Sequence, residues 1–110
     1  MRNIVKGQSV RVYLGESDRK GNVPLYEWLV KKAQHEGIAG ATVVRGLMSY
    51  GSHHTLHSAE LLDLASHLPI IVELIDSEAK MTPFLEMVAP ELNEGLITVQ
   101  AIDMHVFSKG

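Results

Sequence analysis

Three histidines and a glutamate stand at ligand spacing between residues 53 and 60. His53 and His57 are four apart, His54 and His57 three apart, and Glu60 follows His57 by three. On a helix such intervals turn two or three donors to one side, as a divalent cation requires. His53, His57 and Glu60 are thus the metal candidates, although His-His-Thr-Leu-His lacks the glutamate of the zinc-protease motif. Asp103 and His105 alternate on one face of an extended stretch, and Glu73 is the acid that could pair with a histidine. No nucleophile motif, phosphate-binding glycine signature or spaced carboxylate pair accompanies them, so they read as interface or rim residues of a non-enzyme. The absence of cysteine excludes thiolate chemistry, disulfides and sulfur-ligated metals.

A second set of residues suits binding better than catalysis. Arg45-Gly46 and Tyr50-Gly51 bracket the end of one extended segment, and Asn93-Glu94-Gly95 precedes another. Glycine at such points admits close backbone approach by a ligand or a neighbouring chain. Taken alone, Gly46 reads as a β-bulge and Asn93-Glu94-Gly95 as a helix terminator.

The elements that must position these residues follow from hydropathy. Val10, Val12 and Leu14 alternate with Arg11 and Tyr13, so Gln8 to Leu14 is a half-buried strand. The polar run Gly15 to Asn22 is a loop, and Pro24 opens a helix carrying Leu25, Leu29 and Ala33 on one face until Gly37 stops it. Ala41 to Tyr50 and Pro69 to Ile75 are the second and third strands, and Leu96 to Val106 the fourth. Between the last two, Met81, Phe84, Leu85, Val88 and Leu92 recur at helical spacing behind a Ser77 cap. Pro83 and Pro90 interrupt that span on the side away from the apolar stripe, where lost backbone bonds face water; the alternative is a shorter helix begun at Thr82-Pro83.

Strand–helix–strand twice over predicts one α+β domain over residues 1–110, a ferredoxin-like βαββαβ sandwich. Its four-stranded antiparallel sheet has the third strand between the first two, the fourth outside the first, and both helices on one face. The other face would carry Arg11, Tyr13, Ile71, Glu73 and Ile75, too apolar for water and too charged for a core, which predicts association of sheets between copies of the chain. The loop after strand one, the long connection Gly51 to Leu68 and the turn at Asn93 to Leu96 all fall at one end of the sheet. A connection of that length between antiparallel neighbours is anomalous and points to function.

With 45% hydrophobic and 21% charged residues the chain can bury a core, and a net charge of −3 argues against nucleic acid as partner. Met1-Arg2-Asn3-Ile4 has no signal-peptide character, so a cytoplasmic location is expected.

Several segments together resemble the PII-like signalling proteins, in particular their small bacterial and archaeal branch. They are Gly15-Glu16-Ser17-Asp18-Arg19, Pro24-Leu25-Tyr26-Glu27, Gly40 to Gly46 leading to Tyr50-Gly51, and Leu68 to Glu73. The resemblance runs from about Gln8 to Val106. It implies a homotrimer with inward-facing sheets and an effector cleft between subunits that takes an adenine nucleotide. It also implies a mobile 51–68 loop that signals to a protein or membrane-transporter target. The cleft would use Ser49, Tyr50 and Gly51 from one side and Asn93, Glu94, Gly95 and Leu96 from the other, with Arg19, Arg45 or His57 facing phosphate.

PII proteins proper have a basic residue where this chain has Leu96, and arginines after the last strand where it has Lys109. Their tyrosine modification motif is replaced by His53-His54-Thr55-Leu56-His57. AMP or ADP is therefore expected in preference to ATP. A related trimeric fold associated with divalent-cation tolerance keeps the metal alternative in view.

Overall fold

A computed structural model describes residues 1–50, 68–92 and 94–109, together with the backbone of 57–58. Its central strand, β1, runs from Arg2 to Gly15 and is longer than the alternation around Val10 predicts. A short hairpin follows, β2 (Arg19–Lys20) against β3 (Val23–Pro24), turned by Gly21 at φ +61°. The remaining elements are α1 (Leu25–His35), β4 (Gly40–Arg45), β5 (Met48–Ser49), β6 (His57–Ser58), β7 (Pro69–Asp76), α2 (Glu78–Val88) and β8 (Leu96–Phe107).

The main sheet has the order β4-β7-β1-β8 with every neighbouring pair antiparallel, as the ferredoxin-like arrangement requires. Val10, Val12 and Leu14 of β1 and Ile70, Val72 and Leu74 of β7 point to one face. They pack there against Leu25, Leu29 and Ala33 of α1 and Met81, Phe84 and Val88 of α2.

Both helices are bounded by readable signals. Pro24 is the N-cap of α1 rather than its first helical residue, and the Leu25 N–H donates to the Asp18 carbonyl at 2.7 Å. Gly37, at φ +78°, ends α1 in the left-handed conformation that favours glycine. In α2 the Ser77 hydroxyl accepts from the Lys80 N–H at 3.4 Å, and Pro83 lies within the helix on its exposed side. The α-helix stops at Val88, and a 3-10 turn, Ala89–Glu91, accommodates Pro90. The shorter helix starting at Thr82-Pro83 is not adopted.

Two expectations need correction. The second strand does not run unbroken to Tyr50: β4 ends at Arg45, and Met48–Ser49 pairs separately with His57–Ser58. Gly46 is not a bulge. It follows the last β4 residue, donates its N–H to the Pro69 carbonyl at 2.8 Å, and a Cβ there would lie 2.7 Å from Pro69 Cγ. The glycine serves close approach of two chain segments.

Beyond Gln8, whose β7 partner is Asp76, β1 and β8 continue as a two-stranded ribbon pairing Arg2–Gly7 with Phe107–Ile102. This extension accounts for the 49 Å long axis of the molecule, against 27 and 24 Å for the others.

Leu74 is fully buried at the centre of the sheet–helix contact. Leu74→Ala should lower the unfolding free energy by about 2–5 kcal/mol in chemical denaturation, through lost transfer energy and a residual cavity. A loss under about 1 kcal/mol would contradict a close-packed core at this layer.

Candidate functional site

The uncovered face of the sheet is organised in rows. Val44, Ile71, Tyr13 and Leu96 pair in register across all four strands and make a continuous apolar row. Next to it lies a polar row, Thr42, Glu73, Arg11 and Thr98. Arg11 Nε donates to Glu73 Oε2 at 3.3 Å, and that hydrogen bond holds the guanidinium pKa above its ordinary value. Val44 and Leu96, at the two ends of the apolar row, are 49% and 59% exposed.

The described ends of the three predicted connections, Glu16 after β1, Leu68 before β7 and Gly95 before β8, lie at the end of the sheet next to this row. The Glu16 N–H donates to the Leu68 carbonyl at 2.9 Å, and the Gly46 N–H to Pro69. Gly95, at φ +136°, lies so close to β1 that a Cβ would be 2.6 Å from the Tyr13 carbonyl oxygen. The turn after β1 is closed twice by Asp18: its carboxylate accepts from the Gly15 N–H at 2.9 Å, and its N–H donates to the Gly15 carbonyl at 3.1 Å.

The candidate binding residues divide between the two edges of the sheet. Arg45, Ser49 and Tyr50 lie on or just after β4, the edge strand on one side. Glu94, Gly95 and Leu96 lead into β8, the edge strand on the other. Three strand spacings separate Val44 from Leu96, about 14 Å in all, so one chain does not bring the two groups together. A groove of about 270 Å³ runs along the second edge, lined among others by Leu14, Leu92, Glu94, Gly95 and Ile97.

Arg19 is engaged within its own hairpin, donating to the Asn22 carbonyl at 2.6 Å. The adjacent Lys20 ties that hairpin to the turn before Glu94, with its ammonium 2.7 Å from a Glu91 carboxylate oxygen and 5.9 Å from the Trp28 ring centre. Gly51, His53, Glu60 and Asn93 lie outside the described residues, and His57 is described by its backbone alone, paired with Ser49. Among the described residues no group of three or more His, Asp or Glu side chains could hold a metal ion. Asp103 forms an exposed ion pair with Lys6 at 3.0 Å, and His105 is exposed on the ribbon, as rim residues would be.

Sequence reasoning missed Glu16. Its carboxylate accepts from Arg45 Nη2, joining the loop after β1 to the end of β4. The second oxygen, Oε2, is buried with no partner among the described residues. Only the acidic character of Gly15-Glu16-Ser17-Asp18 hinted at it, because its partner is 29 residues away.

Residues 7–104 match the model of the DUF190 family, "Uncharacterized ACR, COG1993". The chain belongs to the DUF190 family. A "UPF0166 protein" from Aquifex aeolicus is 35% identical over 101 residues, covering 92% of this chain and 95% of the relative. "UPF0166 protein MJ1524" from Methanocaldococcus jannaschii is 30% identical over 105 residues, 94% of each chain. The DUF190 fold seen here is that of PII-like proteins. CPII from Thiomonas intermedia K12, a nitrogen regulatory PII-like protein solved bound to ADP, AMP and bicarbonate, superposes with a TM-score of 0.70. That comparison has 20% identity and covers 93% of this chain and 91% of CPII.

The two positive-φ glycines at this end should differ in tolerance. Gly95→Ala should cost about 2–6 kcal/mol, because backbone strain adds to the overpacked contact with the Tyr13 carbonyl oxygen. Gly21→Ala has open space around it and should cost only about 1 kcal/mol. Thermal unfolding of both variants measures the order, and equal losses would contradict the close approach of Gly95 to β1.

Proposed function

We propose that this protein is a PII-like regulatory protein that assembles as a homotrimer and binds an adenine nucleotide, AMP or ADP, in clefts between subunits. The observation that carries the reading is the division of the candidate residues between opposite edges of one sheet. Ser49 and Tyr50 stand beyond β4, and Glu94, Gly95 and Leu96 at the start of β8, on edge strands whose separation across the sheet is about 14 Å. With β4 edge set against β8 edge, a ligand between two chains touches both groups. The apolar row Val44, Ile71, Tyr13 and Leu96 adjoins both edges and supplies a surface for that association.

The chemistry of the two edges suits a nucleotide with few phosphates. Tyr50, 65% exposed, offers a ring for stacking against a base. The Gly95 backbone can be approached closely because no Cβ intervenes. Arg45 is the basic side chain at the β4 edge, whereas the β8 edge begins with Glu94 and Leu96. A triphosphate would meet too little positive charge there. The fold shared with CPII, which was solved with ADP, AMP and bicarbonate, supports the same ligand class. On this reading the chain binds and signals rather than catalyses, and the 51–68 connection carries the signal to a target.

Calorimetry should show AMP and ADP binding more tightly than ATP. Tyr50→Ala should weaken AMP binding by about 1–3 kcal/mol, roughly five- to a hundred-and-fiftyfold. Wild-type protein that bound no adenine nucleotide at millimolar concentration, but bound zinc or nickel tightly, would replace this reading with the metal one. Sedimentation should show a trimer, and Ile71→Asp, which places a charge in the apolar row, should yield monomers. A stable wild-type monomer would remove the inter-subunit cleft.

A further inference from the structure

We propose that Glu16 is an internal competitor for the anion site at Arg45, so that an anionic ligand binds by displacing the Glu16 carboxylate from the guanidinium. The proposal rests on the nucleotide reading above for the identity of the ligand and adds the regulation of that site. Three observations carry it.

First, the Arg45 guanidinium at the β4 edge already holds a carboxylate. Arg45 Nη2 donates to Glu16 Oε1, and the Glu16 side chain is 14% exposed whereas that of Arg45 is 52% exposed. A planar guanidinium that binds one carboxylate presents the same donors to a phosphate or carboxylate from solution.

Second, among the described residues the resident carboxylate is only half satisfied. Glu16 Oε2 is buried without a donor among the described residues. A buried charged acceptor without its full set of hydrogen bonds loses hydration that the ion pair does not restore. A phosphate, reaching Arg45 from the exposed side, keeps its remaining oxygens in water, and the displaced Glu16 regains its own hydration.

Third, Glu16 can leave without unfolding anything. The turn that carries it is closed by the Asp18 carboxylate on the Gly15 N–H, and the Asp18 carbonyl accepts from Leu25. The Glu16 backbone is held by its N–H bond to Leu68. Rotation of the side chain alone opens the pair, while the segment between β1 and α1 keeps its place. In the closed state Glu16 bridges the ends of β1 and β4, and in the ligand-bound state that bridge is absent.

The test is calorimetry with AMP, adenosine and inorganic pyrophosphate on wild type, Glu16→Gln, Arg45→Met and the double variant, each checked for native circular dichroism. A latch closed in about nine-tenths of molecules lowers apparent affinity about tenfold, so Glu16→Gln should bind AMP and pyrophosphate about tenfold more tightly. Adenosine, which has no phosphate, should bind both proteins alike. The gain should vanish when Arg45→Met is added. Unchanged or weaker anion binding in Glu16→Gln overturns the proposal, as does a gain that persists without Arg45, which would reflect only the removal of a negative charge. If AMP fails to bind any variant while pyrophosphate shows the Arg45-dependent gain, the latch stands and the nucleotide reading falls. If neither anion binds any variant, both fall.

Discussion

The antiparallel pairing of β1 with β7 on one side and β8 on the other is the constraint from which the rest of this molecule follows. It sets the register in which Val10, Val12 and Leu14 face the helices and Arg11 and Tyr13 face away. Because strand side chains alternate, a slip of one residue would exchange the two faces and bury Arg11. With the register fixed, α1 and α2 can cover only one side of the sheet. The opposite side keeps its row of apolar side chains and its Arg11–Glu73 pair, a half-exposed ion pair that adds little stability but limits how a second sheet can be laid against it.

The same strand order decides where binding can occur. Placing β1 and β7 in the middle makes β4 and β8 the edges, so the loops that follow β4 and precede β8 are held apart by the width of the sheet. On the proposed reading each edge carries half a cleft, and a head-to-tail ring of identical subunits is the symmetric way to bring unlike halves together. Gly46 and Gly95 let the chain pack tightly at this end, one against Pro69 and the other against the Tyr13 carbonyl. Arg45 and Glu16 place opposite charges at the same end and pair there, the contact on which the proposed anion competition turns.

Much of the fold was legible because its signals are local. Alternation around Val10 and Ile70 marks two strands, Gly37 marks a helix end, and the side of α2 that tolerates Pro83 follows from the spacing of Met81, Phe84 and Val88. The first half of β1, Arg2 to Gly7, was not legible: Lys6 and Gly7 break the pattern, and what makes them a strand is the distant partner β8. The end of β4 at Arg45 was hidden for a similar reason, since Leu47 and Met48 look like continued strand but lie 81% and 54% exposed. The convergence of connections at one end of the sheet could be read from topology. The role of Glu16 could not, because a loop carboxylate declares itself only when the fold brings its guanidinium partner to it.

If the binding site is shared between subunits, ligand binding and assembly must be linked, and each must strengthen the other by the same factor. The most direct measurement is the trimer–monomer equilibrium by sedimentation over a dilution series, with and without saturating AMP. The account predicts that AMP moves dissociation to lower protein concentration and that its apparent affinity falls once the protein is dilute enough to come apart. An AMP affinity independent of protein concentration, with monomers binding as tightly as trimers, would contradict a site built from two chains.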